Sequence, residues 1–137
     1  MKWSKKMSPS DAQQETKGSL MPFRFTQENC PGDLNTWFRD KFFNGLEWKD
    51  KTRRNTQIEE ADIKISVRIQ GKDLGQRDMR LTHTESRKKN HNAPSTHLIF
   101  DKVTRKYLKD NDTTGEQIVF TKDLAGLFNL DIGDNEP

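Results

Sequence analysis

The segment Ala61–Ile69 constrains the fold more than any other. Ile63, Ile65, Val67 and Ile69 alternate without a break with Asp62, Lys64, Ser66 and Arg68. A period of two places every apolar side chain on one face of an extended strand and every polar one on the other. Such a strand needs partners and a core beneath it, so the chain must build a sheet that is wet on one side. A return strand follows at Arg77–His83, where Met79 and Leu81 alternate with Arg80 and Thr82 after the glycine-marked turn Gln70–Gly75.

Further extended segments are expected around this pair. Trp3–Met7 reads as a short strand anchored by Trp3, and Leu20–Phe25 as one that Pro22 confines to an edge, a first position or a bulge. Ser95–Phe100 carries Thr96, Leu98 and Phe100 on one face. A terminal hairpin pairs Glu116–Thr121 with Leu127–Ile132 across the turn Lys122–Gly126. Two helices punctuate the strands. Asp33 caps the first, with Leu34, Trp37, Phe38 and Phe42 on one face and Gly45 as its stop. Asp101 caps the second, through Asp110, which buries Val103, Tyr107 and Leu108. Asp50–Gln57 has no periodicity and reads as an exposed loop.

The expected fold is mainly β, with about seven strands and two short helices placed after the second and fifth strands. For a chain this short, that order favours an open, seven-stranded barrel-like sheet. Only 30% of the 137 residues are hydrophobic, so the core must be small, and eight Phe and three Trp supply most of it. Residues 1–133 are expected to form one domain, with Asp134–Pro137 as a frayed tail. The lone cysteine, Cys30, excludes an internal disulfide and a cysteine-based zinc site. No apolar run reaches membrane-spanning length, and the N-terminus lacks the apolar centre of a signal peptide. The expectation is a soluble, cytoplasmic protein.

Net charge is only +3, but it is unevenly placed. Lys2, Lys5, Lys6 and Lys17 stand near the start and Arg87-Lys88-Lys89 in the middle, while acids gather in Asp123, Asp131, Asp134 and Glu136. Two separated basic clusters suit a polyanionic partner. Arg87-Lys88-Lys89 falls in one long polar connection and Lys17 in another, which Lys2, Lys5 and Lys6 precede. Thr84–Pro94 links two strands with almost nothing apolar in it, and Ser8–Ser19 has a similar inventory of hydroxyls, amides and a lysine. Long loops in small domains are often functional. Arg and Lys can pair phosphates or guanine edges, Asn and Gln can address adenine, and hydroxyls fix backbone oxygens. Neither loop is rich in aromatics, which favours a duplex groove over a single-strand stacking platform.

The string Lys5-Lys6-Met7-Ser8-Pro9-Ser10-Asp11-Ala12, followed by Gly18-Ser19-Leu20-Met21-Pro22, resembles the opening of B3-type DNA-binding domains. That family includes plant transcription factors and the target-recognition domains of some type II restriction endonucleases. Lys6, Met7, Ser10, Asp11, Leu20 and Pro22 follow the family's order, and the expected element order is similar to its seven-stranded pseudobarrel. The overall character is closer to the bacterial restriction-enzyme branch. The resemblance implies two arms, here Ser8–Ser19 and Thr84–Pro94, that grip double-stranded DNA in the major groove like a wrench. It also implies a larger nuclease, with cutting done by another domain or subunit.

On this reading Gln13, Gln14, Arg87, Lys88, Asn90 and Asn92 are candidates for base edges. Lys2, Lys5, Lys6, Lys17, Ser8, Ser10, Thr84 and Ser86 are candidates for phosphates. Asp11 would shape the arm by capping backbone amides. The domain is expected to be non-catalytic, with no cofactor and no metal. Two rivals stay open on the residues. One is a small metal-dependent nuclease using His83, His91 or Asp62, the last within an acid-x-lysine string, Asp62-Ile63-Lys64. The other is a protein-interaction domain offering Leu20–Phe25 as an edge.

Overall fold

A computed structural model describes residues 1–14, 22–51, 58–84 and 95–133. The strands are β1 (Lys2–Lys6), β2 (Phe23–Arg24), β3 (Lys49–Asp50), β4 (Ile58–Ile69), β5 (Lys72–Thr84), β6 (Ser95–Ile99), β7 (Gln117–Lys122) and β8 (Phe128–Gly133). Helix α1 (Leu34–Trp37) runs on as a π-helical turn, Phe38–Phe42, and α2 spans Lys102–Asp110. All eight strands belong to one sheet in the order β1-β7-β8-β4-β5-β6-β2, with the two-residue β3 paired to β4 off that path. The protein is thus mainly β with two helices, and the sheet curls into an open half-barrel. Among the described residues and without β3, the order is seven strands with a helix after the second and another after the fifth.

β4 behaves as its pattern requires: Ala61, Ile63, Ile65, Val67 and Ile69 are buried, and the residues between them are exposed. Its partner β5 is longer than its own pattern suggests. Within Lys72–Gln76 only Leu74 packs partly against the core, yet Lys72, Asp73, Gly75 and Gln76 all pair with β4. The turn between them is only Gln70-Gly71, both with positive φ (50° and 81°), the geometry that matches the twist of a tight hairpin. Gly75, expected in that turn, instead sits at the register shift between Val67 and Arg68. It has φ 79°, and Asp73 Oδ1 accepts its N–H.

Two other expectations are corrected, and one is met in part. Among the described residues of Leu20–Phe25 the ladder covers Phe23 and Arg24, directly after Pro22, and pairs with β6; Leu20 and Met21 lie outside the described residues. The first helix is short because Phe43 N–H bonds Phe38 O, a wider turn that keeps Phe38, Phe42 and Phe43 all buried. In α2 the buried residues are Thr104 and Leu108, while Val103 is exposed. The stretch Asp50–Gln57 begins with β3, and its remainder from Thr52 lies outside the described residues.

One contiguous apolar cluster fills the curl. Trp3 lies at its centre, with ring centroids 5.1 Å from Phe25, 5.2 Å from Phe38 and 6.0 Å from both Phe23 and Phe120. Trp3 is on one edge strand; Phe23 is on the other. No ladder joins β1 and β2 among the described residues, and side chains bridge them instead. Lys5 donates to the Arg24 carbonyl (2.8 Å), Asn29 to that of Ser4 (2.8 Å), and the Trp3 indole to that of Glu28 (2.7 Å).

Strand directions fix where the connections emerge. β1, β8, β4 and β6 run one way, and β7, β5, β3 and β2 the other. The chain therefore leaves β1 and enters β2 at one rim, where α2 also lies. It leaves β5 and enters β6 at the opposite rim. Trp3→Ala should destabilise the fold by about 3–5 kcal/mol, read as a lower urea midpoint, because it empties the space where both sheet edges meet.

Candidate nucleic-acid interface

The first arm is built from its root. Ser8 Oγ accepts the Asp11 N–H (3.1 Å), and Asp11 Oδ2 accepts the Ser8 N–H (3.2 Å), a reciprocal cap that closes a tight turn. Met7 N–H bonds Glu116 O, and Gly115 N–H bonds Met7 O, tying the turn to the segment before β7. Gln13 takes φ 63°, and Met7, Ala12 and Gln13 are buried. Gln14, though exposed, donates its amide N–H groups to Ala12 O (3.2 Å), Leu108 O (2.8 Å) and Lys109 O (3.5 Å), fastening the arm to the end of α2.

Beneath this turn lies an ion pair. Lys5 Nζ is 3.0 Å from Asp11 Oδ2, with only 8% of each side chain exposed, and it also lies 4.6 Å from the Phe23 ring centroid. An ammonium in such a place needs its partners, because desolvation costs several kcal/mol per ion. Here a carboxylate, a backbone carbonyl and an aromatic face supply them. Asp11 thus shapes the arm through Ser8 and Lys5 together.

Of the residues read from sequence as DNA contacts, Lys5 and Gln13 are buried, and Thr84, at the end of β5, is only 9% exposed. Each faces inward because its strand or turn position does. Gln14 holds the arm with its amide nitrogen. Lys2, Lys6 and Ser8 are exposed and Ser10 is half-buried. Lys2 and Lys6 project from the same face of β1, Lys6 beside the arm and Lys2 at the far end of the strand. Lys17, Ser86, Arg87, Lys88, Asn90 and Asn92 lie outside the described residues.

The second arm's root is equally firm. Thr84 pairs with Ile58 on one side and Ser95 on the other, so the strand is held to its last residue. His83, buried, shares a 2.9 Å hydrogen bond between Nδ1 and Thr96 Oγ1 and lies edge-on to Trp48. Arg39 stacks over Trp48 (4.5 Å) and grips Glu59, the cross-strand neighbour of His83, with two hydrogen bonds of 3.1 and 2.9 Å. The Arg39 hydrogen bonds hold the Glu59 carboxyl below its usual range, against the opposing effect of burial.

The described residues of the nuclease reading do not converge. Asp62 and Lys64 project from the outer face of β4, cross-strand from Arg80 and Asp78. His83 lies inside, His97 is half-buried in β6, and His91 is outside the described residues. Among the described residues no three His, Cys, Asp or Glu side chains gather as metal ligands. No described helix is long and apolar enough to cross a membrane.

The geometry defines a small, mainly β protein whose two long polar connections are rooted in packed structure. No family model, no curated protein and no solved structure matches the chain.

Two outcomes test the roots. Lys5→Met should cost about 3–5 kcal/mol by stranding Asp11 in the interior. The double variant Lys5→Met/Asp11→Asn should lose less than the sum of the single changes in urea titrations, whereas additive losses would show no coupling. Arg39→Gln should return Glu59 toward its ordinary range. Because the folded value is depressed, the stability it contributes is present above the ordinary glutamate value and lost as pH falls through the folded one. The gap between wild type and variant should accordingly be present at pH 7 and close in acid, as measured by unfolding at each pH.

Proposed function

We propose that this chain binds double-stranded DNA sequence-specifically, with Ser8–Ser19 and Thr84–Pro94 as two arms, and that it serves as a non-catalytic recognition module of a restriction-type nuclease. The observation that carries this reading is the contrast between root and tip. Each connection is clamped by buried pairs and ladders at its base, while its sequence beyond the base is almost wholly polar and hydrogen-bonding. Preorganised roots reduce the ordering cost of binding, and polar tips supply groups that read base edges and phosphates.

Spacing supports it further. β6 separates the two roots: Phe23 lies beside Leu98 near one end of that strand, and Thr84 beside Ser95 at the other. From Ser95 to Leu98 the strand advances about 10 Å, comparable to a major groove about 12 Å wide. The order of strands and helices agrees with the pseudobarrel that the resemblance implies. The DNA-facing set on this proposal is Lys2, Lys6, Ser8, Ser10, Lys17, Ser86, Arg87, Lys88, Asn90 and Asn92. Lys5, Gln13, Gln14 and Thr84 act behind it as supports.

Selection from a random duplex library should return a consensus sequence. Arg87→Ala should then bind that sequence about tenfold or more weakly, the worth of one good bidentate pairing with a base. A library without a consensus, together with no salt-dependent retention of any duplex, would overturn the proposal.

A further inference from the structure

Helix α2, Lys102-Val103-Thr104-Arg105-Lys106-Tyr107-Leu108-Lys109-Asp110, carries four cations in nine residues. Lys102, Arg105, Lys106 and Lys109 stand at i, i+3, i+4 and i+7, which places them in one stripe. The buried residues, Thr104 and Leu108, lie on the opposite side. Lys72 adds a fifth cation beside the helix, 5.5 Å above the Tyr107 ring. The acids at the two ends of α2 are engaged: Asp110 with Lys106 at 3.3 Å, and Asp101 with Arg77 at 3.1 Å. Lys102, Arg105 and Lys109 make no ion pair among the described residues.

Like charges three and four residues apart work against a helix. Four such pairs lie in this stripe, offset by one attractive pair, Lys106 with Asp110. The stripe is also continuous with the first arm, because Gln14 is bonded to the carbonyls of Leu108 and Lys109. Both occupy the rim where β6 ends and β2 begins.

We infer that the exposed face of α2 is a phosphate-binding surface, which holds the sugar–phosphate backbone of the duplex beside the first arm without reading its sequence. This rests on the duplex-binding proposal and extends it to residues outside both arms. From Lys102 to Lys109 the helix rises about 10 Å. Phosphates on one strand advance about 3.4 Å each along the duplex axis, so the stripe can face about three of them. Lysines suit this role because each acts as a point charge that needs no fixed orientation.

The test uses the full chain and the exposed pair Lys102 and Lys109, changed to glutamine, which keeps helix propensity and adds no repulsion. Duplex binding by wild type and Lys102→Gln/Lys109→Gln is measured from 50 to 200 mM salt, with the selected sequence and with a random duplex. The variant should bind both duplexes more weakly by the same factor. Its log–log salt slope should be shallower by about 2, at roughly 0.9 for each phosphate no longer neutralised. Unchanged affinity and slope in a folded variant would overturn the inference while leaving the duplex reading intact. Tighter retention of a polyglutamate peptide than of duplex, abolished in the variant, would also overturn it and assign the face to an acidic protein. If wild type shows no salt-dependent duplex binding, the proposed function fails, and this inference fails with it.

Discussion

A lysine ammonium inside a β-shell is the interaction on which the rest of this structure turns. Lys5 belongs to β1, its carbonyl acceptor Arg24 to β2, its counter-ion Asp11 to the first arm, and the ring below it to Phe23. Those groups come from the two edges of the sheet and from the turn that leaves one of them. An ordinary barrel closes its seam with a ladder of backbone hydrogen bonds. Here the described edges share none, and side chains join them, the buried Lys5 together with Trp3 and Asn29. The desolvation of that charge makes the arrangement exacting, since losing one partner strands another.

The aromatic core works with this seam. Trp3 and Phe23 approach from opposite edges, and Phe25, Phe38 and Phe120 close around them. Large rings suit a sheet that curls without full closure, because each covers a wide area from a single backbone position. The π-helical turn serves the same end by burying Phe38, Phe42 and Phe43 together. A chain with only 30% hydrophobic residues thereby gains a continuous core.

Charge is divided by depth. Lys5, Asp11 and His83 lie inside as supports at the roots of the two connections, and the Arg39–Glu59 pair sits partly exposed beside the second. Lys2 and Lys6 face outward on β1, and the cations of α2 lie at the rim of the first arm.

Much of this was legible in the sequence. Alternation located β4, β6, β7 and β8, because one buried face imposes a period of two on each. Asp11 could be read as a residue that shapes the arm, because a carboxylate is repelled by phosphates and can cap local backbone amides instead. The limits were physical. β5 reaches back to Lys72 because its neighbour β4 offers a ladder, and ladder bonds leave no mark on side-chain type. The parallel pairing of β4 with β8 joins residues some sixty positions apart, beyond any local pattern. Most telling is Lys5, which stands among Lys2 and Lys6 and looks like another surface cation. Sequence determined that its strand would alternate; only the tertiary structure brought Asp11, Arg24 and Phe23 around it. Those partners come from different segments, and that turned an expected phosphate ligand into the fastening of the seam.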